Sequence, residues 1–189
     1  MERKIFITIF LLIQLTSCMN QKMFLERNNI SDGKLRLDGY YKVKGRAMFY
    51  DSVRNSTAYG IAREQDCYEL HIFYVNGISL GGDVLRADSV DGRPEYIYER
   101  YKNKGNRKWA ATLWGIVSLK GDSIKFENWV PSNGDGMKTV IKMGKILNDT
   151  TFVITKRTNR YNIKPDLRQD TFRFVKLSKK PDSTNIFIK

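Results

Sequence analysis

The stretch Tyr68-Glu69-Leu70-His71-Ile72-Phe73-Tyr74-Val75 constrains this chain more than any other. Tyr68, Leu70, Ile72 and Tyr74 recur with a period of two, which lays one apolar face along a strand and is incompatible with a helical stripe. The run ends in Asn76-Gly77, a dipeptide that tolerates the positive φ of a tight hairpin turn, and Ile78-Ser79-Leu80 follows as the returning strand.

Similar units fill the rest of the chain. Leu35, Leu37 and Tyr41-Lys42-Val43 read as a first strand, with Ala47-Met48-Phe49-Tyr50 as a short second one or its continuation. Tyr96-Ile97-Tyr98 reads as a strand after the Gly92-Arg93-Pro94 break. Leu113 to Leu119 pairs with Ser123 to Trp129 across Lys120-Gly121-Asp122. Thr139 to Leu147 pairs with Thr151 to Lys156 across Asn148-Asp149-Thr150, and Thr171 to Leu177 closes the set. No segment carries a capped apolar period of 3.6. About eight to ten short strands with turn residues between them argue a β-sandwich or barrel. Sequential hairpins favour an up-and-down order, and closing the sheet removes its exposed edges. The expected fold is therefore all-β, an antiparallel up-and-down β-barrel. At eight strands its interior holds either packed side chains or one small ligand.

The N-terminus has a different grammar. Arg3 and Lys4 precede the apolar run Ile5 to Ile13, which is well short of the roughly 20 residues of a membrane-crossing helix. Leu15-Thr16-Ser17-Cys18 follows and looks like a bacterial lipoprotein lipobox. An ordinary signal peptide or a short anchor with an incidental Cys is the competing reading. On the lipobox reading residues 1–17 are a signal peptide, 18–33 a lipid-anchored tether and 34–189 the barrel. Cys18 supplies the thiol for a diacylglyceryl thioether. An added N-acyl chain makes the anchor firm, because one chain alone holds a protein only marginally. No other covalent group or cofactor is implied.

Chemistry is sparse. With Cys18 lipidated, Cys67 has no intrachain partner, and His71 is the single histidine. One Cys and one His make no zinc cluster. At a separation of four in a strand Cys67 and His71 share a face but stand about 13 Å apart, too far for a dyad. The carboxylates, Glu69 and Glu127 among them, are scattered, and a glycosidase pair would need two facing each other across a cleft. Ser132-Asn133-Gly134-Asp135-Gly136 lacks the acidic alternation of a calcium loop. No catalytic or metal residue is assigned. Net charge is +13, lowered by one when Glu2, Arg3 and Lys4 leave with the leader. The charge is spread along the chain rather than gathered in one stripe. That fits solubility and attraction to anionic headgroups better than nucleic acid. Aromatics are the more informative excess. Tyr41, Tyr74, Trp114 and Trp129 are candidates to line a pocket for a lipid- or sugar-like ligand, or to serve as barrel core.

Several passages carry a resemblance: Leu37-Asp38-Gly39-Tyr40-Tyr41, Ile72 to Gly77, Trp114-Gly115-Ile116 with Gly121 to Lys125, Gly144 to Phe152, and Phe172 to Lys176 followed by Lys180-Pro181-Asp182-Ser183. Together they resemble small lipoproteins of the Bacteroidota with calycin- or lipocalin-like barrels. Gly39-Tyr40-Tyr41 stands where a lipocalin has Gly-x-Trp. The resemblance implies lipidation at Cys18 and no catalytic residues. Some such lipoproteins carry an acidic export run after the lipid cysteine. Met19-Asn20-Gln21-Lys22 lacks one, which points to the periplasmic face of the outer membrane.

The function expected is a non-enzymatic, membrane-anchored envelope protein that binds a small amphipathic ligand or an envelope partner. A structural accessory barrel with a filled interior is the alternative. An enzyme acting on envelope lipid or glycan is a further one.

Overall fold

A computed structural model describes residues 23–30, 33–51, 61–102, 110–131, 137–159 and 165–188. Residues 1–17, expected as a signal peptide, and Cys18 lie outside the described residues. Eight strands form a closed antiparallel barrel in sequence order: β1 Gly39–Asp51, β2 Ile61–Phe73, β3 Ile78–Arg86, β4 Trp114–Lys120, β5 Ser123–Pro131, β6 Met137–Asn148, β7 Thr151–Asn159 and β8 Asp166–Lys176. Closure is made by β8 on β1, with Tyr41 opposite Phe174 and Gly39 opposite Lys176. The architecture is the up-and-down, calycin- or lipocalin-like barrel that the alternation and hairpins demand.

Turn chemistry acts where it was read. Gly77 takes φ +75°, and a Cβ there would sit 2.2 Å from the Asn28 carbonyl oxygen, because the N-terminal segment crosses this turn. That segment, part of the expected tether, is laid against the barrel. The amides of Phe24 and Leu25 donate to Glu127 Oε2 at 2.7 and 2.8 Å, and the Ile30 amide donates to the Val75 carbonyl. Leu35 and Leu37 belong to no strand; they lie below β1, where buried Leu35 and half-buried Leu37 seal one barrel end. Ala47 to Tyr50 continue β1.

The barrel wall is buried on both sides, so two cores exist. The inner one holds Tyr41, Phe73, Val117, Ile124, Phe126, Phe152, Ile154 and Phe172. The outer one holds Leu70, Ile72 and Tyr74 of β2, Leu80 and Leu85 of β3, and Trp114, Ile116 and Trp129. Chain segments outside the barrel cover it: helix α1 (Ala87–Val90), helix α2 (Pro94–Lys102), a 3-10 turn at Ala111–Leu113, the N-terminal segment and the C-terminal tail. Lys180 clamps that tail by donating to the carbonyls of Leu37 and Phe73 at 2.5 and 2.6 Å.

The apolar face of β2 that dominates the sequence therefore points outward. The inward face of β2 is Cys67, Glu69, His71 and Phe73.

Tyr96-Ile97-Tyr98, expected as a strand, lies in helix α2. Pro94 occupies the first helical position, where its missing N–H costs nothing, Glu95 sits in the first turn, and Arg100 and Lys102 sit in the last. Ile97 and Tyr101, four apart, bury the same face. A three-residue alternation is too short to oppose that burial.

Candidate functional site

The hairpin turns after β2, β4 and β6 gather at the sealed end. At the other end a cavity of about 220 Å³ opens among β1, β2, β3 and β8. Val43, Ala47, Cys67 and Val84 contribute apolar lining, and Lys44, Arg46, Glu69, Arg168 and Asp170 contribute charged lining. Register explains the grouping. Val43 pairs with Glu69 and Glu69 with Val84, while Gly45 pairs with Cys67, so each row turns the same face inward. Arg168 bridges two carboxylates of its own strand, Asp166 at 2.7 Å and Asp170 at 3.5 Å.

At the cavity floor Glu69 is the hub of a buried cluster. His71 Nε2 lies 2.7 Å from Glu69 Oε1, and Lys142 Nζ donates to the same oxygen. Lys142 reaches the interior because it pairs in register with inward Phe126, and its ammonium lies 5.5 Å from that ring's centroid. His71 has no solvent exposure. Its ring packs against Phe126 at 4.6 Å and Phe172 at 5.7 Å. Burial pushes the imidazole below its ordinary value, against the opposing pull of Glu69, so His71 is neutral. Its Nε2–H then donates to the carboxylate, which leaves Nδ1 an acceptor. Burial alone would raise Glu69. The His71 hydrogen bond and the Lys142 ammonium outweigh that and hold Glu69 well below the usual carboxylate range. Burial likewise lowers Lys142, with Glu69 resisting. The floor is a charged Glu69–Lys142 pair steadied by a neutral histidine.

A buried neutral histidine imposes a pH dependence. Below about pH 6.5 the unfolded chain takes up a proton that the folded chain refuses, so stability is full above that pH and falls beneath it. The loss is at most about 1.4 kcal/mol per pH unit. Urea unfolding between pH 7.5 and 5 should show this slope. His71→Gln should flatten it, since no other histidine exists. An unchanged slope in that variant would refute the assignment.

Cys67 is a buried free thiol. Burial, with the carboxylates of Asp66 and Glu69 nearby, raises it, so it is a poor nucleophile. Among the described residues no group of three or more His, Cys, Asp or Glu is placed to hold a metal, and no helix is long and apolar enough to cross a membrane.

Three of the four aromatic candidates share the outer core, and Tyr41 stands apart in the inner one. Tyr41 is buried in the inner core near the sealed end, where its hydroxyl donates to the carbonyls of Arg36 and Asp149. Tyr74 lies in the outer core and donates to the Pro181 carbonyl at 2.9 Å. Trp114 is buried in the same outer core, and Trp129 lies there with its ring 6.4 Å from Phe187. None of the four lines the cavity. The cluster that does underlie it went unassigned in the sequence, although Glu69 and His71, two apart in the strongest strand, are a visible polar interruption. Lys142 is 73 residues from Glu69 and gives no local signal.

No family model matches this chain, and no curated protein or solved structure matches it either.

Proposed function

We propose that this chain is a lipoprotein of the bacterial cell envelope, anchored through Cys18 to the periplasmic face of the outer membrane, whose barrel mouth captures a small amphipathic ligand without catalysing a reaction. The cavity at the barrel mouth, which mixes apolar and charged lining, supports the reading. Val43, Ala47 and Val84 suit a short apolar segment, and Arg168, Glu69 and Asp170 suit a polar head. At about 220 Å³ it is smaller than the roughly 300–1,000 Å³ of drug-sized sites. The ligand is accordingly of fragment size, or the end of a longer amphiphile. The spread positive charge favours an anionic envelope surface.

Hexanoate is a suitable probe, with its carboxylate on Arg168 and its chain against Val43 and Val84. Calorimetric titration should give saturable binding that weakens at least tenfold in Arg168→Ala and is unchanged in Trp129→Phe. Equal binding in wild type and Arg168→Ala, or none in wild type, would remove the mouth as the site. The anchor is tested separately: Cys18→Ala should abolish incorporation of azido-palmitate and release the protein from membranes.

A structural accessory barrel is the second reading. The filled interior beneath His71, where Phe126, Phe152 and Phe172 are buried, favours it.

A further inference from the structure

The seam that closes the barrel is zipped for only part of its length. β1 pairs with β2 from Tyr41 opposite His71 to Asp51 opposite Ile61. Its pairing with β8 runs only from Gly39 opposite Lys176 to Lys42 opposite Arg173. Toward the mouth β8 continues as far as Asp166 and is paired there with β7. From Val43 to Asp51, therefore, β1 has no strand on its second side among the described residues. Successive peptide groups of a strand point to alternate sides, so half of the N–H and C=O groups along this stretch point into the seam.

The cavity lies at this edge. It is lined by the five consecutive residues Val43 to Ala47, with Arg168 and Asp170 of β8 across from them. Neighbouring residues of a strand face opposite ways, so a cavity that touches all five runs along the backbone edge and not along one face. The inward row is small. A Cβ built on Gly45 would meet nothing nearer than Cys67 Sγ at 3.7 Å. The outward row is cationic. Lys44 pairs in register with Tyr68, which packs on the outer core, so Lys44 and Arg46 face outward, and both are exposed. Exposed Arg173 stands on the same outer side, opposite Lys42. The carboxylates that answer the first two, Asp66 at 2.7 Å from Lys44 and Glu64 at 3.4 Å from Arg46, stand on β2, on the far side from the edge. A strand arriving at the edge meets the cations first.

We propose that the β1 edge from Val43 to Ala47 is a docking site for an extended acidic peptide of another protein, which adds as a strand, sets acidic side chains outward on Lys44 and Arg46, and turns a small apolar side chain inward over Gly45. Strand addition of this kind takes affinity from backbone pairing and specificity from alternate side chains. Charges on a free edge also repel a like edge. A second copy of this chain would bring Lys44 and Arg46 against their own kind, whereas an acidic strand is matched. The site needs neither the lipid anchor nor small-ligand capture.

The test is fluorescence anisotropy on the full chain with the labelled peptide acetyl-Thr-Val-Glu-Val-Glu-Val-Thr-amide. Binding should be saturable and at least tenfold weaker when the peptide carries Lys in place of Glu. It should weaken at least tenfold in the variant Lys44→Gln/Arg46→Gln as well, with the melting temperature showing that the variant is folded. Two further peptides, N-methylated on one or the other set of alternate amides, probe the backbone, and one of them should lose at least tenfold. Hydrogen exchange should slow at amides between Val43 and Ala47 when the parent peptide binds. The proposal is overturned by no saturable binding at millimolar peptide, by equal binding of the acidic and basic peptides or of both methylated ones, or by protection confined to other strands. A dimer of the free chain with these amides already protected gives the edge to a second copy and overturns it too. Hexanoate binding that fails while the peptide binds removes the small-ligand reading alone, and the converse removes this one alone.

Discussion

Glu69→Ala lowers the unfolding free energy by about 3 kcal/mol at neutral pH, because it strands the Lys142 ammonium in the barrel without its carboxylate. Breaking a buried pair costs more than never having had one, since the surviving charge keeps its desolvation penalty and loses its partner. The double variant Glu69→Leu/Lys142→Met should therefore recover most of the loss. The single variant should also carry its own pH signature. Without Glu69 the folded chain binds the Lys142 proton less tightly than the unfolded chain does. Stability should then climb as the pH rises toward 10.5, the ordinary lysine value. Urea midpoints for wild type, single and double variants at pH 7 and 9.5 measure all of this. If single and double variants are equally unstable, the pair is not the origin of the cost.

Trp114→Ala should be at least as damaging, at about 3–5 kcal/mol, because it removes a fully buried indole from the outer core and the segments around it cannot collapse into the space. For a chain of this size the loss corresponds to a fall in melting temperature on the order of 10 °C. Trp114 was also a candidate to line a ligand pocket, and the two roles separate cleanly. A core residue shifts the melting temperature and spares the affinity of a distant mouth site. A pocket residue does the reverse. Scanning calorimetry beside a hexanoate titration gives both numbers, and a melting temperature unmoved by the substitution would return Trp114 to the pocket.

Much of the fold was legible because its signals are local. Asn76-Gly77 specifies its turn by backbone sterics alone. The pairings of β4 with β5 and of β6 with β7 follow from short turns that leave the strands few other partners. Up-and-down order then needs no further information. Helix α2 was misread because nine residues with two buried positions give little periodic signal, and because the partner that buries Ile97 is supplied by the fold.

The candidate site was the least legible part, for a physical reason. Period-two alternation shows that a strand has two faces but does not say which one turns inward when both are buried. In β2 the greasier face is Leu70, Ile72 and Tyr74. The helices and both chain ends cover that face from outside, and this leaves Glu69 and His71 within. Lys142 completes the cluster only through barrel closure, which brings β2 and β6 across the interior from each other.

By itself, then, the amino-acid sequence determined an all-β chain of consecutive hairpins, two cysteines of which Cys18 stands in a lipobox-like context, and a single histidine, all of them properties of residues and near neighbours. The tertiary structure alone decided which face of each strand is inside, where the barrel is sealed and where it opens, and which charges meet at Glu69. Those depend on what covers the outer wall, and burial by distant segments leaves no period in the sequence of the strand it buries.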